Sequence, residues 1–87
     1  MSKSISAVCS NIVERVVDLD LPIELDLGML RSAIRKHGKS AASAKIQRLA
    51  THLDKAIDAH NGETMPILAA VVTLSYAIRE GCEVSHV

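Results

Sequence analysis

A long stretch without charged side chains constrains the fold of this chain most. No Asp, Glu, Lys or Arg occurs from Met65 to Ile78. Thr64 suits a helix N-cap, Pro66 is tolerated in a first helical turn, and Gly81 suits a helix end. A helix that is apolar on all sides is usually buried on all sides. We therefore predict a helix over residues 64–81 that packs against a neighbour on each of two faces.

The two faces of this helix differ in the size of their side chains. At about 100° per residue, the large apolar side chains share one broad face: Ile67, Leu68, Val71, Val72, Leu74 and Ile78. Small side chains spaced by four form a ridge on the other face: Ala69, Thr73 and Ala77. Such a ridge either packs tightly within one chain or forms a homodimer seam. We predict a homodimer through this ridge, because a small bundle has few other large surfaces to cover it.

The size and charge of the chain exclude several classes of protein. Its 87 residues suffice for a single domain, residues 1–87, and no Trp or Phe can contribute to the core. The 10 basic side chains balance the 10 acidic ones, which argues against a dedicated binder of nucleic acids or membrane surfaces. The uncharged stretch is also too short to cross a bilayer. We expect neither direct nucleic-acid binding nor membrane binding.

The cysteines indicate a reducing environment. Cys9 and Cys82 belong to no CxxC or zinc-ligand pattern. Apolar residues recur at intervals of three and four from Ile5 to Val17, which predicts an amphipathic helix over roughly residues 4–17. Cys9 lies on its apolar stripe and should be buried, whereas Cys82 follows a predicted helix end and should lie near the surface. We predict two reduced thiols and a cytoplasmic location.

Residues 18–27 change to a period of two. Leucines and one isoleucine alternate there with Pro22 and four carboxylates, which are Asp18, Asp20, Glu24 and Asp26. Strict alternation is typical of a strand, but Pro22 permits only an edge strand or an extended connector. We predict an extended connector that lays its leucines on the bundle and projects its carboxylates to one side. A short edge strand is the alternative.

Two further helices follow. Asp26 is a candidate cap for a short helix over residues 27–37 that Gly38 ends. Ser40 is a candidate cap for a long helix that ends near His60. The fold class we predict is therefore all-α: a small bundle of about four helices with one extended connector that contains Pro22.

The sequence gives little support for catalysis. His37, His52, His60 and His86 are not spaced to share a metal ion, and the Cys82–His86 spacing alone does not make a zinc site. No glycine-rich loop precedes a helix, and no Ser–His spacing suggests a triad. We predict no enzyme activity, no catalytic residue, no metal site and no cofactor.

The basic residues form one block in the sequence. Six positive side chains occur with no acidic residue between Arg31 and Leu53: Arg31, Arg35, Lys36, Lys39, Lys45 and Arg48. Residues 33–42 are similar to a helix–turn–helix, with Gly38 in the turn. Ile34 stands where alanine is usual, and the second helix is longer than in that motif. A solvated surface around a helical turn and a DNA-binding regulator that uses residues 33–49 both remain open.

The chain length, the opening residues Met1-Ser2-Lys3-Ser4-Ile5 and the helical layout resemble the small antirepressors of Gifsy-type prophages. Antirepressors of that type bind a prophage repressor noncovalently and release it from operator DNA during induction. The resemblance implies a small regulator of transcription that binds and sequesters a protein partner. It rests on the general layout and assigns no role to any single residue.

Either charged block could dock such a partner. The acidic candidates are Asp18, Asp20, Glu24 and Asp26, and the basic candidates are Arg31, Arg35 and Arg48. Carboxylates can meet the Lys and Arg side chains that a repressor otherwise presents to phosphates, so we favour the acidic block.

Overall fold

The computed structural model describes residues 3–84, and the side chains of residues 3–81. It contains four helices: α1 (Ile5–Asp18), α2 (Glu24–His37), α3 (Ala44–Asp58) and α4 (Met65–Val84). An isolated antiparallel bridge between Ser4 and Ala41 is the only extended pairing within the described range. The all-α bundle of four helices is therefore confirmed, and the alternative of an edge strand in residues 18–27 is wrong.

The helices pack as a ring in the order α1, α2, α4, α3. Helix α4 packs on α2 and α3, and α1 packs on the same two helices. Helices α2 and α3 lie at opposite corners, although they are consecutive in the chain. Ile67, Val71, Leu74 and Ile78 of α4 are almost completely buried in the core. Helix α4 therefore packs on two helices of its own chain, but Ala69 and Thr73 of the predicted small-residue ridge stay exposed, so no helix of the chain covers that part of the second face.

Helix α1 begins and ends where its apolar period predicts. The Ser4 hydroxyl accepts a hydrogen bond from the Ala7 N–H at 3.1 Å, which satisfies one free donor of the first turn. Cys9 is 0 % exposed, so its predicted burial is confirmed. Burial raises the pKa of the Cys9 thiol from 9.0 to about 11, because a thiolate is poorly solvated in the core.

Helix α2 begins three residues earlier than predicted. Its N-cap is Ile23, which makes no side-chain cap hydrogen bond, and Asp26 lies inside the first turn. The predicted cap at Asp26 and the predicted extended geometry of residues 24–27 are therefore wrong. Ile23 and Leu27 are both buried, four residues apart, so a helix places them on one face. Carboxylates in the first turn, Glu24 and Asp26, also interact favourably with the positive end of the helix.

The connection between α2 and α3 is tied to the start of the chain. The Ile5 N–H donates to the Ser40 carbonyl at 2.9 Å, and the Ala42 N–H donates to the Lys3 carbonyl at 2.8 Å. These bonds hold residues 38–43 outside a helix, so the predicted cap at Ser40 is wrong. Ser43 caps α3 instead: its hydroxyl accepts from the Ile46 N–H at 3.2 Å.

The other helix ends also differ from prediction. Helix α3 ends at Asp58, two residues before His60. Helix α4 starts after Thr64, as predicted, but continues through Gly81 to Val84. Gly81 does not have the positive φ that is typical of a glycine at a helix end, whereas Gly62 has a φ of 100°. The predicted exposure of the Cys82 thiol lies outside the described side chains.

A charged contact joins α1 to α3. The Arg15 guanidinium donates to one carboxylate oxygen of Asp54 and to one of Asp58. The hydrogen bond that Arg15 donates to Asp58 and the charges of both carboxylates raise the pKa of Arg15 above its ordinary value, against a smaller opposing effect of desolvation. Asp58 is exposed and Arg15 and Asp54 are half-buried, so solvent screens the contact, which aligns the two helices more than it stabilises them.

Candidate docking surfaces

The first candidate surface is the acidic turn, which we define as residues 18–26. Asp18 ends α1, and the Asp20 N–H donates to the Val17 carbonyl at 3.1 Å. Asp20 has a positive φ of 53°, a backbone conformation that Asp tolerates better than most residues. The chain reverses there, and the buried Ile23 side chain fixes the turn to the core.

The carboxylates of the acidic turn do not form the predicted single row. Asp18, Asp20 and Glu24 are exposed, whereas Asp26 is half-buried. Glu24 and Asp26 are two residues apart on a helix, which turns their side chains about 200° away from each other. The expectation of four carboxylates on one side of an extended backbone is wrong, because Glu24 and Asp26 belong to α2.

An apolar side chain projects from the acidic turn. Leu25 is 89 % exposed, the highest exposure among the large apolar side chains of the described residues. The sequence led us to expect Leu25 on the bundle, but Leu27 takes the buried face of α2 and leaves Leu25 on the outer side. One turn later Gly28 is exposed, and a Cβ atom there would meet nothing within 4 Å. Leu25 and Gly28 thus share an open face of α2.

The second candidate surface is the α3/α4 groove, a depression of about 530 Å³ along the outer side of both helices. Arg48, Leu49 and His52 line it from α3, and Pro66, Ala69, Ala70 and Thr73 line it from α4. A second depression continues past Thr73 and is lined by Lys45, Tyr76, Ala77 and Glu80. The Thr73 hydroxyl donates to the Ala69 carbonyl at 2.8 Å, so this donor is already used within α4. The groove therefore has a largely apolar floor with basic side chains along its α3 edge.

The predicted small-residue ridge is only partly available to another molecule. Ala69 and Thr73 are exposed in the groove, whereas Ala77 is 8 % exposed and packs within the chain. Helix α4 also exposes two larger apolar side chains, Met65 and Tyr76, at 69 % and 49 %. The exposed face of α4 is consequently wider and more apolar than the ridge alone.

The basic block does not form one surface. Arg31 and Arg35 are exposed on α2, and Arg48 is exposed on α3. Because α4 separates these two helices, their proximity in sequence is not proximity in space. The α2–α3 connection, residues 38–43, is also longer than the three to four residues that are usual between the helices of a helix–turn–helix.

The histidines are dispersed. His52 is exposed at the groove, whereas the His37 Nε2 and His60 Nδ1 atoms are buried without a hydrogen-bond partner, and His86 lies outside the described residues. Within residues 3–81, no group of three or more His, Cys, Asp and Glu side chains is placed to hold a metal ion.

Comparison with known proteins gives no relative: no protein-family model, no curated protein and no solved structure matches the chain significantly. Within the described part of the chain, none of the four helices has the length and apolarity needed to cross a bilayer. The two candidate surfaces therefore have to be interpreted from their own geometry and charge.

Proposed function

We propose that the chain is a small non-enzymatic regulator that binds a protein partner through the acidic turn. The exposure of Leu25 carries this proposal. Leu25 is 89 % exposed and directly follows Glu24, in a turn that also exposes Asp20, so it offers an apolar contact with carboxylates nearby. Interfaces commonly combine such an apolar centre with a charged rim that guides association.

Gly28 adds a second reason. A glycine inside a helix destabilises it by about 0.5–1 kcal/mol relative to alanine, and nothing within the chain requires Gly28 to lack a side chain. Close approach of another molecule to α2 at this position would require Gly28 to lack a side chain. Leu25 and Gly28 then act together, one as the projecting contact and the other as the space beside it.

The chemistry of the acidic turn supports one kind of partner. It fits an apolar pocket bordered by Lys and Arg side chains, and the DNA-binding face of a repressor can have this character. We therefore keep the antirepressor function as the particular proposal: the acidic turn of a cytoplasmic regulator covers a repressor surface that would otherwise contact operator phosphates. The resemblance to the Gifsy-type antirepressors supports this choice of partner.

Direct DNA binding by residues 33–49 is the competing proposal. The exposed Arg35 and Arg48 favour it, but they lie on α2 and α3, each of which packs on α4. Binding to duplex DNA through phosphates should weaken steeply as salt rises. We expect no retention of a random DNA duplex by the purified protein at moderate salt.

Self-association through α4 is the second part of the proposal. The exposed Ala69 and Thr73, with Met65 and Tyr76 beside them, form an apolar face that no helix of the same chain covers. Homodimerisation would remove this face from water, which helps a chain with so small a core.

The partner proposal is tested by capture from the native host with immobilised wild-type protein, a Leu25→Asp variant and an Arg35→Glu variant. We expect one major captured protein that Leu25→Asp loses and Arg35→Glu retains. Both positions are exposed, so circular dichroism should show equal folding. Loss with Arg35→Glu and retention with Leu25→Asp would instead assign binding to the basic residues.

A further inference from the structure

We propose that the acidic turn of one copy inserts into the α3/α4 groove of a second copy. Self-association then covers the surface that the protein partner needs, so the free protein is held in an occluded form. The occlusion rests on the proposed function, whereas the self-association itself does not.

Charge complementarity supports this pairing. Arg48 lines the groove and Lys45 lines its continuation, where Glu80 lies on the α4 side, and the acidic turn exposes Asp20 and Glu24. Within residues 3–81, the ion pairs are those of Arg15 with Asp54 and Asp58, so neither set of charges is paired inside the chain. Each set thus retains its charge for a contact with another molecule, and the two sets have opposite sign.

The shapes also correspond. Leu25 projects from the turn, and the groove has a floor of Leu49, Ala69 and Ala70. Its volume of about 530 Å³ is in the range of pockets that hold small ligands, so one leucine with its flanking backbone can enter. Gly28 lies one turn after Leu25 on α2, and its missing side chain leaves room there for the wall of the partner copy's groove.

The ring of helices requires the two surfaces to come from different chains. The acidic turn joins α1 to α2, whereas the groove lies between α3 and α4. In the order α1, α2, α4, α3, these two pairs occupy opposite sides of the bundle. Contact within one molecule is therefore prevented, and contact between copies is head-to-tail: each copy offers its acidic turn to one neighbour and its groove to another, so association continues beyond a dimer unless it closes into a ring.

Complementation between two variants tests the pairing in purified protein. Leu25→Asp removes the projecting contact, and Arg48→Glu reverses a charge at the groove. We expect sedimentation velocity to show self-association of the wild type and to show each variant weakened by at least about tenfold. An equimolar mixture of the two variants should associate again, because the turn of one chain and the groove of the other remain intact.

Three results would overturn the inference: a wild type that stays monomeric at high concentration, variants that associate like the wild type, or a mixture that does not recover association. Arg35→Glu, an exposed charge reversal away from both surfaces, is the matched control and should associate like the wild type. Thermal unfolding of all variants checks that each is folded.

The same variants separate this inference from the proposed function. Leu25→Asp should lose both self-association and partner capture, whereas Arg48→Glu should lose only self-association and capture more partner. A monomeric wild type whose capture still depends on Leu25 would remove the inference and leave the function intact. Self-association without any captured partner would remove the function and leave the pairing intact.

Discussion

The two ends of α2 are held in opposite ways. At the C-terminal end, the Gly38 carbonyl accepts from the Ser6 N–H at 3.0 Å, and a Cβ atom on Gly38 would collide with the Ile34 carbonyl oxygen. At the N-terminal end, the helix has no side-chain cap, Leu25 is exposed and Gly28 stands in open space. We call the C-terminal end of α2 its closed end, because other residues hold it tightly, and the N-terminal end its open end.

The contrast between the two ends identifies the residues that the fold requires. At the closed end, residues 38–43 are bonded to the first turn of α1. Backbone hydrogen bonds and close packing there leave little room for substitution. The open end keeps an exposed leucine and a helical glycine that contribute nothing to packing within the chain. Features of the second kind are the ones to explain by contacts with another molecule.

The largest expected contrast is between two leucines of α2. Leu30 is 0 % exposed and Leu25 is 89 % exposed. Leu30→Ala should lower the free energy of unfolding by about 2–5 kcal/mol, because it leaves a cavity in the core. Leu25→Ala should change it by less than about 0.5 kcal/mol. Urea unfolding followed by circular dichroism measures both, and equal losses would show that Leu25 is packed.

The next contrast is at the closed end. Gly38→Ala should lower the free energy of unfolding by about 1–3 kcal/mol, since the added methyl group forces the backbone near Ile34 and Ser6 to move. Thermal unfolding measures this loss. A neutral Gly38→Ala would mean that residues 38–43 are held less tightly than the Ser6 and Ser40 hydrogen bonds indicate.

At the open end the same substitution should have the opposite sign. Gly28→Ala should raise the free energy of unfolding by about 0.5–1 kcal/mol, because alanine favours the helix and its methyl group meets nothing. The two glycine variants, measured side by side in one denaturant series, give a sign test of the comparison. A destabilising Gly28→Ala would place this position in a contact within the chain.

The smallest effect near neutral pH concerns Cys9. This residue lies in α1, about one turn after the residues that bond to the closed end of α2. Burial raises its pKa to about 11, while the unfolded chain loses the thiol proton near 9.0. The stabilising contribution is therefore complete below pH 9 and declines as pH rises towards 11. Unfolding measured from pH 8 to 11 should lose stability more steeply in the wild type than in Cys9→Ala. Parallel slopes would contradict a buried thiol.

Local periodicity predicted much of the fold. The bounds of α1, the burial of Cys9 and the burial of Ile67, Val71, Leu74 and Ile78 in α4 follow from apolar spacing, which a helix converts directly into a buried face. The start of α2 was mispredicted because Ile23 and Leu27 fit both a period of two and a helical spacing of four. The Ser43 cap depends on Lys3 and Ile5 holding a distant loop, which no local pattern encodes.

The candidate surfaces were predicted less completely. The sequence identified the acidic residues but not their arrangement, since that depends on where α2 begins. It did not identify Leu25, because the alternating pattern placed that side chain on the bundle. A helical projection from Glu24 would have placed it opposite Leu27 and Leu30. The basic residues form one block in the sequence, and only the ring order of the helices separates Arg35 from Arg48.

Tyr76 has a practical consequence for optical measurements. It is the single aromatic residue in a chain that contains no Trp and no Phe. Its ring is 49 % exposed and borders the continuation of the α3/α4 groove. All intrinsic ultraviolet fluorescence of the unlabelled protein therefore originates beside the groove, where any molecule that covers it changes the surroundings of the fluorophore.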